Sequence, residues 1–295
     1  MPRIAYVNGQ YIPHDEASVH IEDRGFQFAD SIYEVVALMN GVLADSQGHI
    51  DRLERSLREL RMDLPVSRAT LMMIMRELVR RNRTSNGALY IQVTRGVAPR
   101  DFVFPKESIA PTLVMTLRPA NFDIDKRKAS IKKVVTVPDI RWDRRDIKST
   151  ALLAQVLAKQ QAADKGAYEA WMVDAKGMVT EGSSSNAWII NAKKQLITRP
   201  TTGHAILKGV TRSALQALCK REGITIVERA FSVKEAYAAK EAFCSSAVAL
   251  IAPVGSIDGR KIGTGELGPV TEKIFDLYMN YATNPQSRQF PWHEK

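Results

Sequence analysis

The sequence contains few cysteines and no long apolar run. Only two of its 295 residues are cysteine, too few for the disulfide framework of a small secreted domain, so we expect both thiols to be reduced. No stretch reaches the ~20 consecutive apolar residues that a transmembrane helix needs. The opening segment "MPRIAYVNGQYIP" has no apolar core of a signal peptide. We therefore expect a cytoplasmic protein that has no membrane partner.

Several motifs of catalytic and binding sites are also missing. The five histidines and two cysteines do not follow metal-ligand spacing, and the sequence contains neither a P-loop nor a G-x-S-x-G motif. The segment "GTGELG" fits the pattern of a dinucleotide-binding loop. No βαβ unit surrounds it, however, so a turn is the better interpretation. We predict that the protein binds no metal.

Acidic residues are in the minority. Lysine and arginine number 42 against 32 aspartates and glutamates, which gives a net charge of +10. Such a charge is compatible with a nucleic acid or with an anionic small molecule as partner. In "DRLERSLRELR" the basic residues are mixed with acidic ones, and no basic tract is interleaved with aromatic residues. We therefore predict no nucleic-acid partner and keep a basic nucleic-acid-binding protein as the alternative from a different class.

The order of the predicted elements favours an α+β fold. Strands and helices occur in blocks and not as a strict βα repeat. The segment "IAYVNGQYIP" predicts a hairpin around Asn8 and Gly9, and two amphipathic helices are indicated by "HIDRLERSLRELRMDLP" and "RATLMMIMRELVRRN". The polar segment "RPANFDIDKRKAS" lacks apolar periodicity and marks a boundary. We predict a small N-terminal domain at 1–120, a linker at 121–129 and a larger C-terminal domain at 130–295.

The first candidate for chemistry is Lys148, in "RRDIKSTALLAQVLAKQQA". Apolar residues recur after it at helical spacing, so we expect a helix that starts directly behind Lys148 and is capped by Asp146 or Ser149. The positive end of a helix dipole disfavours a charged lysine, and this favours a nucleophilic role. The alternative is an ordinary surface lysine beside a helix.

Two further segments carry polar groups. Glu181 is followed by "GSSSN", whose small residues offer hydrogen-bond donors and close backbone approach, although a plain turn explains it too. Gly209 and Thr211 stand at a helix start, where backbone N–H groups favour a phosphate; N-capping by Thr211 is an equally good explanation. A nucleophilic lysine, a carboxylate and a phosphate site together fit pyridoxal 5′-phosphate, an aldehyde cofactor that has a basic ring nitrogen.

Four separated motifs resemble those of the class IV aminotransferases, the fold-type IV pyridoxal phosphate enzymes. They are "HIDRLERS", "DIKSTALLAQVLAKQQA", "VTEGSSSNAW" and "ILKGVTR". The likeness extends over nearly the whole chain, and within the family it is strongest to the D-amino-acid transaminases, notably in "DRGFQFADSIYEVV" and "VTRGVAPRDFVFP". The resemblance implies a two-domain α+β fold with a small N-terminal α/β domain and a larger C-terminal pseudo-barrel domain. It also implies a homodimer.

The resemblance also implies which residues bind the cofactor. Lys148 matches the Schiff-base lysine that carries the proton, Glu181 matches the partner of the pyridine nitrogen, and Arg52 matches the arginine that holds the phosphate. The remaining cofactor contacts match Leu207, which packs on the ring, and Val210, Thr211, Ser246 and Ala247 around the phosphate. Ala247 stands where these transaminases carry threonine, so we expect a backbone N–H contact there without a hydroxyl.

Tyr33 and Arg100 match residues that bind the substrate carboxylate, and Arg100 is expected to reach the site across a dimer interface. The third such residue is a histidine in the resembled transaminases, and this sequence has Phe102 instead, which predicts a shifted or relaxed substrate range. The implied reaction is ping-pong transfer of an amino group between D-amino acids such as D-alanine and 2-oxo acids such as 2-oxoglutarate or pyruvate. The alternatives within the family are a branched-chain L-amino-acid aminotransferase, an (R)-amine transaminase and a 4-amino-4-deoxychorismate lyase.

Overall fold

The computed structural model describes residues 3–284, which divide into two compact units. The first unit comprises residues up to 122 together with 147–151, and the second comprises 123–146 and the residues from 152 onward. Each unit contains a sheet and helices, and this confirms the predicted α+β class. The domain borders at 120 and 130 stay a prediction, and the grouping of 147–151 with the first unit is not evident from the sequence.

The first unit is built on a six-stranded antiparallel sheet in the order β2-β1-β6-β5-β3-β4. Its strands are β1 (Ile4–Val7), β2 (Gln10–Pro13), β3 (Ser31–Met39), β4 (Val42–Leu43), β5 (Gly87–Thr94) and β6 (Thr112–Pro119). The predicted hairpin is confirmed, because β1 and β2 pair around Asn8 and Gly9. Both turn residues have positive φ, 44° and 96°, as a two-residue hairpin turn requires.

Three helices accompany this sheet: α1 (Arg24–Phe28), α2 (Ser46–Glu59) and α3 (Arg68–Asn82). Helix α2 packs on β3, and α3 packs on β1 and β6. The apolar stripe of α2 is buried, with Ile50, Leu53 and Leu57 each 1% exposed. Burial of each such side chain is worth roughly 1.5–3 kcal/mol relative to exposure, so hydrophobic packing fixes the helix against the strand that carries Tyr33.

Residues 147–151 join the first unit through backbone pairing with the start of β3. Ser149 forms an antiparallel bridge with Ile32, and the Thr150 N–H donates to the Ser31 carbonyl at 3.1 Å. The backbone is therefore extended at the position where we expected a helix to begin.

The second unit is built on a nine-stranded mixed sheet in the order β12-β11-β10-β13-β14-β7-β8-β9, with β15 added to β14. Its strands are β7 (Lys132–Pro138), β8 (Glu169–Val173), β9 (Val179–Gly182), β10 (Asn186–Ile190), β11 (Leu196–Thr198), β12 (Ile226–Glu228), β13 (Glu241–Ser246), β14 (Leu250–Ile257) and β15 (Arg260–Lys261). Strand β9 ends this order, yet only residues 183–185 separate it from β10. The sheet must therefore curl back on itself.

The helices of the second unit are α4 (Ile124–Ala129), α5 (Leu153–Asp164), α6 (Val210–Arg221), α7 (Val233–Tyr237) and α8 (Pro269–Thr283). Helix α6 packs on β13 and α8. Helix α5 turns small residues inward, since Ala158 and Ala162 are buried while Leu153 is 72% exposed. Within the described part of the chain, no helix combines the length and apolar character that crossing a bilayer requires.

Candidate active site

Lys148 lies in the first unit against Tyr33 of β3. The Tyr33 N–H donates to the Lys148 carbonyl at 3.0 Å, and the Lys148 N–H donates to Ser56 Oγ at 3.4 Å. Its Nζ stands 4.1 Å from the centre of the Tyr33 ring and has no ion pair within the described residues of this unit. An amino group on an aromatic face without an acidic partner keeps its lone pair available for chemistry once it loses a proton.

The helix-dipole explanation for Lys148 is wrong. Helix α5 begins at Leu153, its N-cap is Leu152, and no side chain caps it, so neither Asp146 nor Ser149 has the predicted capping role. Because the field of a helix end acts over about one turn, it does not reach a residue several positions before the cap. Pairing with β3 positions Lys148, and the helix does not.

Arg52 of α2 forms a bidentate ion pair with Glu34 of β3. Its Nε and Nη2 each lie 2.7 Å from a different oxygen of Glu34, and His49 Nδ1 lies 2.7 Å from the same carboxylate. Burial tends to raise the pKa of Glu34, but the charge and hydrogen bonds of Arg52, aided by His49, outweigh it and lower the pKa to about 2. Glu34 is therefore ionised at neutral pH and fixes the plane of the Arg52 guanidinium.

Glu181 is the centre of a buried polar cluster in the second unit. Its Oε1 lies 2.5 Å from Arg141 Nη1, its Oε2 accepts from Asn186 Nδ2 at 2.9 Å, and the Leu207 N–H is shared between both oxygens at 3.1 and 3.3 Å. Burial raises the pKa of Glu181, opposed by Arg141 and the Leu207 N–H. Every partner is a donor, so the cluster accommodates the carboxylate form.

Arg141 is held in place by a second acid. Its Nε and Nη2 bond to the two oxygens of Asp139 at 2.9 and 2.8 Å. Burial lowers the pKa of Arg141, but the two carboxylates outweigh burial and raise it. The guanidinium therefore stays charged beside Glu181.

Asn186 ties the Glu181 cluster to the segment before α6. The same Nδ2 that donates to Glu181 also donates to the Leu207 carbonyl at 3.1 Å. A Cβ at Gly209 would lie 2.1 Å from Asn186 Oδ1, so only glycine permits this approach. Asn186 pairs with Ser245 of β13, which is followed by the predicted phosphate residues Ser246 and Ala247.

Helix α6 begins at Val210 with Gly209 as its N-cap and without a side-chain cap. The alternative of N-capping by Thr211 is therefore wrong. Thr211 is 2% exposed, and its hydroxyl oxygen has no hydrogen-bond partner among residues 3–284. A buried hydroxyl without a partner costs about 1–3 kcal/mol, so a missing acceptor or donor is indicated beside the free N–H groups of the first turn.

The serines after Glu181 serve a different purpose from the predicted one. The hydroxyls of Ser183, Ser184 and Ser185 all donate to the carboxylate of Glu169 on β8, which is itself 1% exposed. We expected these hydroxyls to be donors for a ligand, but they fold the turn around an internal acid. The turn is thereby fixed between Glu181 and Asn186.

Arg100 and Phe102 lie together in the first unit, in the loop at 95–111 between β5 and β6. The Phe102 side chain is 80% exposed. The Arg100 guanidinium lies 5.7 Å from the centre of the Phe102 ring.

The predicted site residues thus form groups within each unit. The first unit holds Lys148 with Tyr33, the Arg52 pair, and the Arg100 loop; the second holds Glu181, Leu207, the start of α6 and the end of β13. Sequence reasoning missed Arg141 and Glu34, and it included Asn186 only as one of the donors of "GSSSN", without its contact to Glu181. Arg141 lies in "DIRWDRRD", where no local pattern indicates a role, because only the fold brings it to a carboxylate 40 positions further on.

Comparison with known proteins identifies similar chains. Residues 31–257 match the family model described as amino-transferase class IV. The chain is 40% identical to a D-alanine aminotransferase of Bacillus licheniformis over 277 residues, which cover 92% of this chain and 95% of that protein. It is 38% identical to a D-alanine aminotransferase of Staphylococcus haemolyticus, covering 96% and 99% of the two chains.

A solved aminotransferase structure has the same fold as this chain. The branched-chain amino acid aminotransferase of Escherichia coli superposes with a TM-score of 0.89, covering 99% of this chain and 98% of that one, at 23% identity. At this identity the similarity concerns the arrangement of the backbone alone. It is the predicted fold-type IV arrangement.

Proposed function

The chain belongs to the class IV aminotransferases, and from this premise we propose that it is a pyridoxal-phosphate-dependent D-amino-acid transaminase. Its substrates are D-amino acids such as D-alanine and 2-oxo acids such as 2-oxoglutarate or pyruvate. The supporting relatives are D-alanine aminotransferases that align with more than nine-tenths of this chain. The single structural observation that carries the proposal is the buried carboxylate of Glu181, surrounded by donors and tied by Asn186 to the start of α6.

The residues fit pyridoxal 5′-phosphate at both of its polar ends. The Thr211 hydroxyl lacks a partner among the described residues, and it lies in the first turn of α6, where N–H groups and the helix dipole favour a phosphate. Arg52, whose guanidinium is oriented by Glu34, would add positive charge at the phosphate, and the backbone N–H groups at Val210, Ser246 and Ala247 would donate hydrogen bonds to it. A carboxylate accepts about four hydrogen bonds, so Glu181 retains capacity for the protonated ring nitrogen.

When bound, this cofactor supplies an aldehyde that takes up the amino group and a ring that accepts electrons from the bond broken at the substrate's Cα. Lys148 Nζ would hold the aldehyde carbon and, once the substrate amine has displaced it, would move the proton from Cα. The centre of the Tyr33 ring lies 4.1 Å from Lys148 Nζ. This contact would limit the orientations of the amino group during proton transfer. Backbone pairing of 147–151 with β3 fixes the base of the side chain, so that proton transfer requires motion of the lysine side chain alone.

The negative charge of the Glu181 carboxylate keeps the ring nitrogen protonated. Arg141 holds Glu181 as an anion, and Asp139 holds Arg141 in turn. Leu207, whose N–H donates to Glu181, places its side chain to pack on the ring. Arg100 and Tyr33 bind the substrate carboxylate.

We further propose that the protein is a homodimer in which Arg100 of one copy serves the site of the other. The exposed position of Arg100 in the 95–111 loop supports this assignment. A cytoplasmic location stays a prediction of the sequence.

Activity on purified protein loaded with pyridoxal 5′-phosphate tests the proposal. We expect pyruvate from D-alanine and 2-oxoglutarate, with ping-pong kinetics, and a yellow protein. L-leucine, (R)-1-phenylethylamine and 4-amino-4-deoxychorismate in the same panel represent the other activities of the family. Turnover of one of these at a higher kcat/KM than D-alanine would replace the proposed substrate class.

A further inference from the structure

Two arginines of the first unit hold the 95–111 loop through a shared acid. Arg24 Nε and Arg95 Nε both bond to Asp30 Oδ2, at 2.9 and 2.7 Å. Arg24 is 2% exposed, and its Nη1 donates to the Asp101 carbonyl at 2.6 Å and to the Val103 carbonyl at 3.4 Å. The two guanidiniums therefore share the single negative charge of Asp30, and Arg24 fixes the backbone of the loop on both sides of Phe102.

The third arginine of this region is supported in a different way. Arg100 has no hydrogen bond or ion pair within the described residues of its unit, and its guanidinium carbon lies 5.2 Å from the centre of the Phe28 ring and 5.7 Å from that of Phe102. The two rings contact each other, with centroids 5.5 Å apart. The guanidinium carbon of Arg24 lies 4.8 Å from the centre of the same Phe28 ring, so Phe28 contacts both Arg24 and Arg100.

Aromatic faces orient a guanidinium without neutralising it. An acid at this place would consume the charge and the hydrogen-bond donors of Arg100, whereas two ring faces leave the planar edge of the guanidinium available. That edge fits a carboxylate through two parallel hydrogen bonds. The loop therefore presents a preoriented cation that has no ion-pair partner among the residues described in its unit.

We propose that Phe28 and Phe102 are positioning residues that hold Arg100 for the α-carboxylate of the substrate, and this rests on the proposed function. The Phe102 side chain has no hydrogen-bond donor, so within the 95–111 loop Arg100, and not Phe102, can bind the carboxylate. Affinity for the carboxylate then depends on how well the two rings orient one guanidinium. Loss of a ring weakens binding of the substrate without altering the chemistry at Lys148.

Single-turnover reaction of the cofactor-loaded enzyme with D-alanine separates these two effects. In Phe28→Leu we expect the half-saturating concentration of D-alanine to rise about three- to tenfold, as the loss of a cation–π contact implies, while the maximal rate changes less than about twofold. Phe102→Leu is expected to act in the same direction. Phe28→Tyr keeps the aromatic ring and should leave the half-saturating concentration of D-alanine at the wild-type value.

Phe26→Leu is the matched control, because Phe26 lies on the same short helix and is 74% exposed, and its ring forms no aromatic or cation–π contact with Phe102 or Arg100. A second measurement avoids turnover altogether: propionate, which is D-alanine without the amino group, is titrated while ligand-observed nuclear magnetic resonance follows its binding. Phe28→Leu should weaken propionate binding by the same factor as it weakens D-alanine binding, and Arg100→Gln should weaken it about tenfold or more.

The outcomes separate the positioning role from the proposed function. If wild-type enzyme reacts with D-alanine and Phe28→Leu leaves both the half-saturating concentration and propionate binding unchanged, the positioning role is refuted and the function stands. An equal effect of Phe26→Leu, or a fall in maximal rate alone, also refutes it. If wild-type enzyme does not react with D-alanine but Phe28→Leu still weakens propionate binding, the function is refuted and the positioning role stands.

Discussion

Arg141 and Glu181 form an ion pair in which both side chains are almost fully shielded from water, 4% and 6% exposed, with 2.5 Å between Nη1 and Oε1. The pair lies within one unit and joins the strand region after β7 to the end of β9. Its consequence is that the charge of Glu181, the acid expected to face the cofactor, is coupled to the charge of Arg141.

Arg141→Met should therefore destabilise the protein and impair the cofactor site together. Removal of one partner from a buried pair costs about 3–5 kcal/mol, because Glu181 is left buried without its cation. In urea unfolding, Arg141→Met/Glu181→Gln should be more stable than Arg141→Met alone. Equal or additive losses in the double variant would show that the two side chains do not act as a pair.

Stability in acid should depend on Glu34. The folded pKa is about 2, below the ordinary value of 4.5, so the carboxylate stabilises the fold above about pH 4.5, and this contribution is lost as the pH falls toward 2. The shift corresponds to a contribution on the order of 3 kcal/mol at neutral pH. Glu34→Gln should lower the melting temperature at pH 7 and flatten its decline between pH 4.5 and 2. A wild-type acid slope in that variant would assign the effect to other groups.

The Thr211 hydroxyl should matter for the cofactor and not for the fold. Thr211→Val removes a buried oxygen that has no partner among the described residues, so stability of the cofactor-free protein should stay equal or rise, while the Kd for pyridoxal 5′-phosphate rises roughly tenfold. Thr198→Val is the control, because Thr198 Oγ1 donates to the Ala187 carbonyl at 3.0 Å. That variant should lose about 1 kcal/mol of stability at unchanged cofactor affinity; the reverse pattern would contradict the phosphate assignment.

Lys148→Ala should abolish transamination. Without the amino group that holds the cofactor and moves the proton, kcat should fall by more than about a thousandfold, and the absorbance of lysine-bound cofactor should disappear. The exposed Lys165 provides a control, since Lys165→Ala should retain both activity and absorbance. Retention of either by Lys148→Ala would refute the central assignment.

Mixed dimers test whether sites are shared. If Arg100 acts in the partner's site, a dimer that pairs a Lys148→Ala chain with an Arg100→Gln chain contains one site with both residues intact. After subunit exchange of these two variants, activity at low D-alanine should recover toward roughly a quarter of the wild-type value, as random pairing in a two-fold dimer gives. No recovery despite demonstrated exchange would place both residues in the same chain's site.

Local patterns in the sequence predict much of this fold. Helices α2 and α3 follow their apolar periodicity, and the hairpin at Asn8-Gly9 follows from turn chemistry that acts between neighbours. The start of α6 at Val210 agrees with the predicted helix start at Gly209. In these cases the information lies within a few residues, and no distant contact competes with it.

The errors come from contacts between distant segments. Ser149 and Thr150 pair with β3, which lies more than 110 residues earlier in the chain. Because these residues are extended, α5 begins only at Leu153. The helix dipole therefore does not account for the reactivity expected of Lys148. Likewise Glu169 draws the serine hydroxyls inward. The local sequence singled out Lys148 and Glu181 and the resemblance gave them roles, whereas the contacts of Arg141 and Asn186 with Glu181 required the fold.

The return of residues 147–151 to the first unit has a consequence for recombination between relatives. In a chimera that joins the first 122 residues of one homologue to the remainder of another, β3 and the segment 147–151 that pairs with it would come from different parents. Lys148 would then be positioned by a strand of the other homologue. Ser31, Ile32 and Tyr33 would then face a pentapeptide with which they had not coevolved. A crossover that respects the architecture has to inherit both pieces from one ancestor, although a long stretch of chain separates them.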